Sequence, residues 1–281
     1  MDSEGQPDGG VEPAPDPAGP GPDPDPPLYK MGTTQQRIRS LLDTFGVVAG
    51  AFIGANVLIL VVVQLLVVSG LATIPPEFSS LTDLPPAVTA VIIATQYIGF
   101  FLVGLAYLRW RDGSSLLDTS LYNVRVPSVR DVGWIVGGFF GLLAVLVTIT
   151  VIASQFGFRP STNTVETIGR ANPPLLLFLA LNALVLNGPA EEFLFRGIVQ
   201  GLFRDAYGVL PGVVLSAAVF GVVHYLALSG GSIAYTLVVI TTLGAVLGAL
   251  YEWSDNLVVP SLVHGLFNAT QFILLYASTT L

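Results

Sequence analysis

The chain has 281 residues, of which 52% are hydrophobic and only 11% are charged, and its mean hydropathy is +0.73. Soluble domains carry about 25% charged residues, so this composition predicts a membrane protein. The formal net charge is −8, and the absence of cysteine excludes disulfide bonds, thiol catalysis and cysteine-ligated zinc.

The N-terminal segment differs in composition from the rest of the chain. It is rich in Pro, Gly, Asp and Ala, and seven acidic residues lie among its first 25 positions. Such a segment buries too little apolar area to offset the entropy lost on ordering. We therefore expect residues 1–29 to form a disordered acidic tail and residues 30–281 to form a transmembrane bundle.

Seven segments are apolar over about 20 residues, the length that a helix needs to cross the hydrocarbon core of a bilayer. We predict an all-α fold, a polytopic membrane helix bundle with about seven transmembrane helices. The predicted spans are residues 45–69, 86–108, 132–153, 175–204, 209–228, 232–253 and 257–277. We expect a multi-pass protein of the cell membrane, surrounded by the lipid bilayer and without a nucleic-acid partner.

The basic residues near the ends of these spans predict the orientation in the membrane. Eight lie on the side of the N-terminus and two on the opposite side. The eight are Lys30, Arg37, Arg39, Arg109, Arg111, Arg125, Arg130 and Arg204, and the two are Arg159 and Arg170. Because cytoplasmic loops are enriched in Lys and Arg, we predict a cytoplasmic N-terminus.

The fourth predicted span contains NGPAEEFLFRG, which places two carboxylates and an arginine inside the membrane. The Gly188–Pro189 pair is expected to kink the helix, because proline lacks a backbone donor. Glu192 and Arg196 have the i,i+4 spacing of an ion pair. Glu191 points about 100° away from Glu192, so we expect that the two carboxylates cannot contact the same point. We therefore expect Glu191 to face the interior of the bundle without a partner. Intramembrane ionisable residues are usually functional, although a structural polar cluster is the alternative.

The chain has only two histidines, and both fall in predicted spans. His224 lies late in the fifth span, and His264 lies early in the seventh, one turn before Asn268. At 1.5 Å per residue, Glu191, His224 and Asn268 lie about 16 to 22 Å from the predicted cytoplasmic ends of their spans. We therefore expect these groups to converge on one pocket that faces cytoplasmic water.

One carboxylate, two imidazoles and one carboxamide suit hydrolysis. Glu191 and His224 can activate a water molecule, and His264 with Asn268 can donate to the oxyanion of an attacked carbonyl. Alternatively, the two histidines and Glu191 can hold zinc with one position open for water. The chain lacks the HExxH and GxSxG motifs of common zinc and serine hydrolases, and this absence leaves both possibilities open.

Three motifs resemble those of the CAAX prenyl protease and bacteriocin-processing (CPBP) family, also called abortive-infection proteins. EEFLFR at 191–196 resembles its EExxxR motif, FGVVH at 220–224 its FxxxH motif, and HGLFN at 264–268 its HxxxN/D motif. They follow in the order of the family, and the resemblance covers about residues 175–275. We expect this segment to be the catalytic core.

The resemblance implies an intramembrane endopeptidase in a helical bundle. Its implied catalytic residues are Glu191, His224, His264 and Asn268, with Glu192 and Arg196 as a supporting pair. Members have been described as metalloproteases and as glutamate-dependent enzymes, so no cofactor is certain and zinc stays an alternative. Eukaryotic relatives cut prenylated C-terminal tails, and prokaryotic relatives are linked to bacteriocin maturation and immunity. The expected substrate is therefore a membrane protein or a lipidated peptide.

Two non-peptidase functions are compatible with the same scaffold. One is a non-enzymatic membrane protein with an immunity or chaperone-like role, which would not need both histidines and Glu191. The other is a transporter or proton relay, which would spread polar groups along a path through several helices. Outside the fourth, fifth and seventh spans the predicted helices carry almost no charge, which disfavours transport.

Overall fold

The computed structural model describes residues 26–77, 79–113 and 123–281, and this part of the chain is almost entirely helical. The helices are α1 (Thr34–Val68), α2 (Pro86–Asp112), α3 (Val129–Gln155), α4 (Thr164–Ala171), α5 (Pro173–Tyr207), α6 (Val209–Val223), α7 (Ile233–Ser254) and α8 (Val258–Thr280). Two short strands, β1 (Thr162–Asn163) and β2 (Leu228–Ser229), pair antiparallel.

Within the described residues, seven helices are long and apolar enough to cross a membrane, namely every helix except α4. The predicted all-α bundle of about seven spans is confirmed. The first helix begins earlier than the predicted span, because Thr33 and Gln36 form a capping box at Thr34. Polar residues such as Arg37 keep this first part of α1 out of hydrocarbon without preventing it from being helical.

The predicted acidic tail, residues 1–29, lies mostly outside the described residues. The end of that segment contacts the bundle at the connection between α5 and α6. The amide of Leu210 donates to the carbonyl of Leu28, and the amide of Lys30 donates to the carbonyl of Tyr207. The chain is therefore attached to the helical core just before α1.

The bundle has two ends, which we call the basic face and the loop face. The basic face carries residues 27–33 and the α5–α6 and α7–α8 connections, and there the Leu257 amide donates to the Asn123 carbonyl. The loop face carries the α1–α2, α3–α5 and α6–α7 connections. The β1–β2 pair ties the last two of these connections together. The cytoplasmic position of the N-terminus stays a prediction, since no bilayer is part of the structure.

Helix α5 lies at the centre of the bundle. Half of the residues in its most apolar stretch are buried, compared with 11% of the residues in the corresponding stretches of α1 and α3. It packs against α8, α6 and α2, and its buried side chains include Leu194 and Val199. Polar residues on α5 are therefore enclosed by protein, whereas the more exposed outer helices present apolar side chains for lipid.

Candidate active site

The centre of α5 departs from regular α-helical geometry. Residues Ala183–Asn187 and Phe193–Gln200 are π-helical, and they flank the α-helical turn Gly188–Glu192. The irregularity expected at Pro189 thus takes the form of two wide turns, one on each side. Single wide turns inside α-helices are frequent at functional sites, and here they surround both glutamates.

Helices α5 and α8 are in close contact at Gly188. A Cβ atom on Gly188 would lie 2.6 Å from the carbonyl oxygen of Ser261 and 2.9 Å from the amide nitrogen of Gly265. Only a residue without a side chain permits this approach. The contact brings the part of α8 that carries His264 and Asn268 against the glutamates of α5.

His264 lies between the two glutamates and contacts both. Its Nδ1 is 2.8 Å from Oε1 of Glu192, and its Nε2 is 3.8 Å from Oε2 of Glu191. An ionised carboxylate can only accept hydrogen bonds, so Nδ1 carries the proton toward Glu192. As expected, the two glutamates do not contact one point, and His264 reaches both because its two ring nitrogens face different directions.

Glu191 is held by the carboxamide of Asn187, which was not among the predicted site residues. Asn187 Nδ2 donates to Glu191 Oε1 at 2.8 Å, and Asn268 Nδ2 donates to Asn187 Oδ1 at 2.8 Å. We expected Glu191 to be unpaired from its position on the helix, and this expectation is wrong. The signal for Asn187 was present in the sequence, since it stands four residues before Glu191 and on the same face of the helix.

Glu192 and Arg196 form an ion contact in the interior. Arg196 Nε lies 3.0 Å from Glu192 Oε2, and both side chains are at most 1% exposed. The contact is electrostatic rather than a well-aligned hydrogen bond, because Oε2 has no hydrogen-bond partner among the described residues. Arg196 also donates from Nη2 to the carbonyl of Gly244 and lies 4.6 Å over the ring of Phe220. The guanidinium is thus held by a charge, a carbonyl and an aromatic face.

His224 ends α6 and is half-buried beside the same aromatic ring. Its Nδ1 is 2.7 Å from the carbonyl oxygen of Phe220, which can only accept, so Nδ1 carries a proton and Nε2 is the acceptor of the neutral ring. The Phe220 ring is centred 4.6 Å from the ring of His224 and 5.9 Å from that of His264. Phe220 therefore packs against both histidines, a role that its motif position did not reveal.

A cavity of about 700 Å³ contains the site, and its lining includes all four predicted catalytic residues together with Asn187. Glu191 comes from α5, His224 from the end of α6, and His264 and Asn268 from α8. Polar side chains that were not predicted also line it, among them Tyr97 and Asn182. The structure therefore brings residues of three separate spans together in one pocket.

The cavity reaches the loop face. Its lining includes residues 160–163 between α3 and α4, Leu228 in β2 and Ser278 near the end of α8. Among the described residues, none of the basic-face connections contributes to the lining. If the N-terminus is cytoplasmic, the pocket faces the opposite side of the membrane from the one we expected. The depth estimates were correct about convergence but contained no information on which end of the bundle is open.

Comparison with known proteins relates the segment that carries this site to a family of peptidases. Residues 173–270 match the family described as "Type II CAAX prenyl endopeptidase Rce1-like". The match includes every residue of the three motifs and the whole of the cavity wall formed by α5 and α6. This match supports CPBP family membership, and we call residues 173–270 the CPBP segment.

The CPBP segment accounts for about a third of the chain. A similar protein is the uncharacterized protein YpbD of Bacillus subtilis (strain 168), which is 31% identical over 96 residues. That alignment covers 34% of this chain and 43% of YpbD, so the chain spans less than half of the relative it matches. No solved structure matches the chain. The CPBP segment and the seven apolar helices together identify a multi-pass membrane protein.

The side chains of the CPBP motifs do not form a metal site in this arrangement. Among the described residues, no three His, Asp or Glu side chains are grouped so that they could hold a metal ion. The zinc ligand set considered from the sequence therefore does not fit, and the chemistry below is derived from protein groups and water.

Proposed function

We propose that the chain is an intramembrane endopeptidase that hydrolyses a peptide bond of a membrane-associated protein or peptide, with or without a prenyl group. One observation carries this proposal. Glu191, His224, His264 and Asn268, from three different spans, line one cavity within the segment that matches a peptidase family.

Water activation is assigned to Glu191 and His224. Asn187 occupies Oε1 of Glu191, so Oε2 is the oxygen that takes a proton from water. The neutral ring of His224 has Nε2 as its acceptor and can orient the same water molecule. The hydroxide oxygen bonds to the carbonyl carbon of the substrate while the proton passes to Glu191.

Stabilisation of the oxyanion is assigned to His264 and Asn268. With Nδ1–H directed at Glu192, a protonated His264 presents Nε2–H toward the centre of the site. Asn268 uses one amide hydrogen for Asn187 and has a second for the developing oxyanion. Collapse of the tetrahedral intermediate breaks the C–N bond, and Glu191 returns its proton to the leaving amine.

Glu192 and Arg196 are assigned a supporting role. Glu192 orients His264 through Nδ1, and Arg196 compensates the charge of Glu192 in the buried interior. A buried carboxylate without a partner would be costly, and this pair avoids that cost while it fixes the imidazole. Neither residue needs to touch the substrate.

The experiment compares membranes of cells that contain the wild-type chain, Glu191→Gln or the control Glu77→Gln, whose carboxylate is exposed in the α1–α2 connection. Mass spectrometry of newly formed N-termini identifies the bonds that are cut. Glu191→Gln is expected to lower the wild-type-dependent cleavages by at least about 100-fold, the usual contribution of a general base. His224→Ala and His264→Ala are expected to act in the same direction, and Glu77→Gln is expected to cut as wild type.

The same experiment distinguishes the proposed peptidase from the alternative, non-enzymatic function. A non-enzymatic immunity or chaperone-like protein would give the same set of N-termini with wild type and with all three site variants. It would also keep any protective effect on the cell in those variants. Either result would exclude the proposed peptidase.

A further inference from the structure

The direction in which the cavity opens limits where the substrate can enter. The lining near the loop face combines polar residues such as Ser161 and Thr162 with apolar residues such as Leu228 and Leu275. An extended peptide with both polar and apolar side chains suits such a lining. Entry from the loop face places that peptide's bond beside Glu191.

The path from the site to the basic face is filled by protein. Arg196 and Gln200 are both about 1% exposed, and Gln200 Nε2 donates to Glu252 Oε1 at 2.7 Å and to the carbonyl of Gly248 at 3.1 Å. A Cβ atom on Gly248 would lie 2.6 Å from Gln200 Oε1, so α5 and α7 are closely packed there. A peptide cannot reach Glu191 from this side without separating the two helices.

The distribution of basic residues assigns the two faces to the two sides of the membrane. Eight Lys and Arg residues lie at the basic face and two, Arg159 and Arg170, lie at the loop face. The cytoplasmic side of a membrane protein carries the excess of Lys and Arg in short loops. This excess predicts that the basic face is cytoplasmic and that the loop face lies on the opposite side of the membrane.

We propose that the substrate bond enters the site from the non-cytoplasmic side of the membrane. This inference rests on the proposed peptidase function and names its substrate class. The substrate is an extended segment of an exported or membrane-anchored polypeptide that is accessible outside the cytoplasm. A lipidated C-terminal tail in the cytoplasm would meet the closed basic face.

The first test uses single cysteines to determine which face of the bundle lies on which side of the membrane. Because the chain has no cysteine of its own, any labelling reports the introduced residue alone. Glu77→Cys and Ser229→Cys lie exposed on the loop face, and Val126→Cys lies exposed on the basic face. A membrane-impermeant maleimide added to intact cells is expected to label the two loop-face variants and to label Val126→Cys only after permeabilisation. The reverse pattern would overturn the inference.

The second test locates the cleaved bonds. Cleavages that are present with wild type and lost with Glu191→Gln are expected in segments that lie outside the cytoplasm. If they fall in cytoplasmic tails, the proposed substrate class is wrong even if the peptidase function is right. If no cleavage depends on Glu191, the peptidase function fails and the substrate class fails with it, whereas the labelling result still assigns the faces. The labelling is repeated in the Glu191→Gln background to keep the two failures distinguishable.

Discussion

His264 shows how one side chain can serve two carboxylates that point in different directions. The side chains of adjacent residues on a helix point about 100° apart, so a partner with a single interacting atom could contact only one of the two carboxylates. An imidazole has two nitrogens on different edges, and here one faces Glu192 and the other faces Glu191. This connection makes the orientation of His264 depend on both glutamates.

The ion pair between Glu192 and Arg196 gives a prediction about stability. Arg196→Met leaves Glu192 buried without its cation, which is expected to lower the free energy of unfolding by about 3–5 kcal/mol. The double variant Glu192→Gln/Arg196→Met removes both charges and is expected to recover most of this loss. Unfolding in detergent micelles, followed by circular dichroism, measures both effects.

The matched control for this prediction is Arg170→Met. Arg170 pairs with Glu166 at the same i,i+4 spacing, but its side chain is 53% exposed. A surface pair contributes at most about 1 kcal/mol, so a small change is expected. Equal losses for Arg196→Met and Arg170→Met would contradict the assigned role of burial, as would a double variant no more stable than Arg196→Met.

At the scale of helices, the site depends on how closely α8 approaches α5. The two π-helical segments of α5 widen the helix around the glutamates, and the close contact at Gly188 determines how far away His264 and Asn268 lie. The nearest atoms to an added Cβ belong to the backbone of Ser261 and Gly265. Such atoms cannot move aside by changing a rotamer, so a larger residue has to displace α8.

Gly188→Ala is therefore expected to separate α8 from α5 and to impair the site. The overpacking is expected to cost about 1–3 kcal/mol in stability. A displacement of about 1 Å is also expected to lower cleavage by about 100-fold. The terminal-peptide assay and unfolding in detergent measure the two effects.

Gly137→Ala is the control for this substitution, since Gly137 on α3 has open space around an added Cβ. Replacing glycine by alanine within a helix is otherwise favourable by up to about 1 kcal/mol. We expect Gly137→Ala to be neutral or slightly stabilising. Wild-type cleavage by Gly188→Ala would show that the close approach is not needed for the site.

At the scale of the whole molecule, the bundle is closed at the basic face and open toward the loop face. The closure comes from the packed contact between α5 and α7, where Gln200 bonds to Gly248 and Glu252. The opening lies among α3, α8 and the loop-face connections, where the β1–β2 pair forms part of the wall. Access to the site is thus a property of the assembled bundle rather than of any one helix.

A bulky group at the mouth of the cavity is expected to block cleavage, whatever the orientation in the membrane. Thr162 is exposed and lines the mouth, whereas Val126 is 90% exposed on the basic face. Purified Thr162→Cys, modified with a maleimide-linked polyethylene glycol, is expected to lose most of its activity on a substrate found by the terminal-peptide assay. Modified Val126→Cys is expected to keep its activity, and the opposite order would place the entrance elsewhere.

Much of this architecture could be predicted from the sequence. Hydropathy placed all seven spans, because crossing a bilayer requires about 20 apolar residues and this requirement is local. The same local reasoning singled out Glu191, His224, His264 and Asn268, since polar groups in such segments are rare. The wide turns of α5 were not predictable, because they depend on how α5 packs against its neighbours.

By itself the sequence determined the membrane class, the number of spans, the residues able to do chemistry and the asymmetry of basic charge. Each of these follows from composition or from spacing along one segment. Only the tertiary structure decided that Asn187 holds Glu191, that His264 contacts both glutamates, and that the cavity opens away from the basic face. These features arise between helices that are distant in the chain, and the contact between them is set by packing at positions such as Gly188.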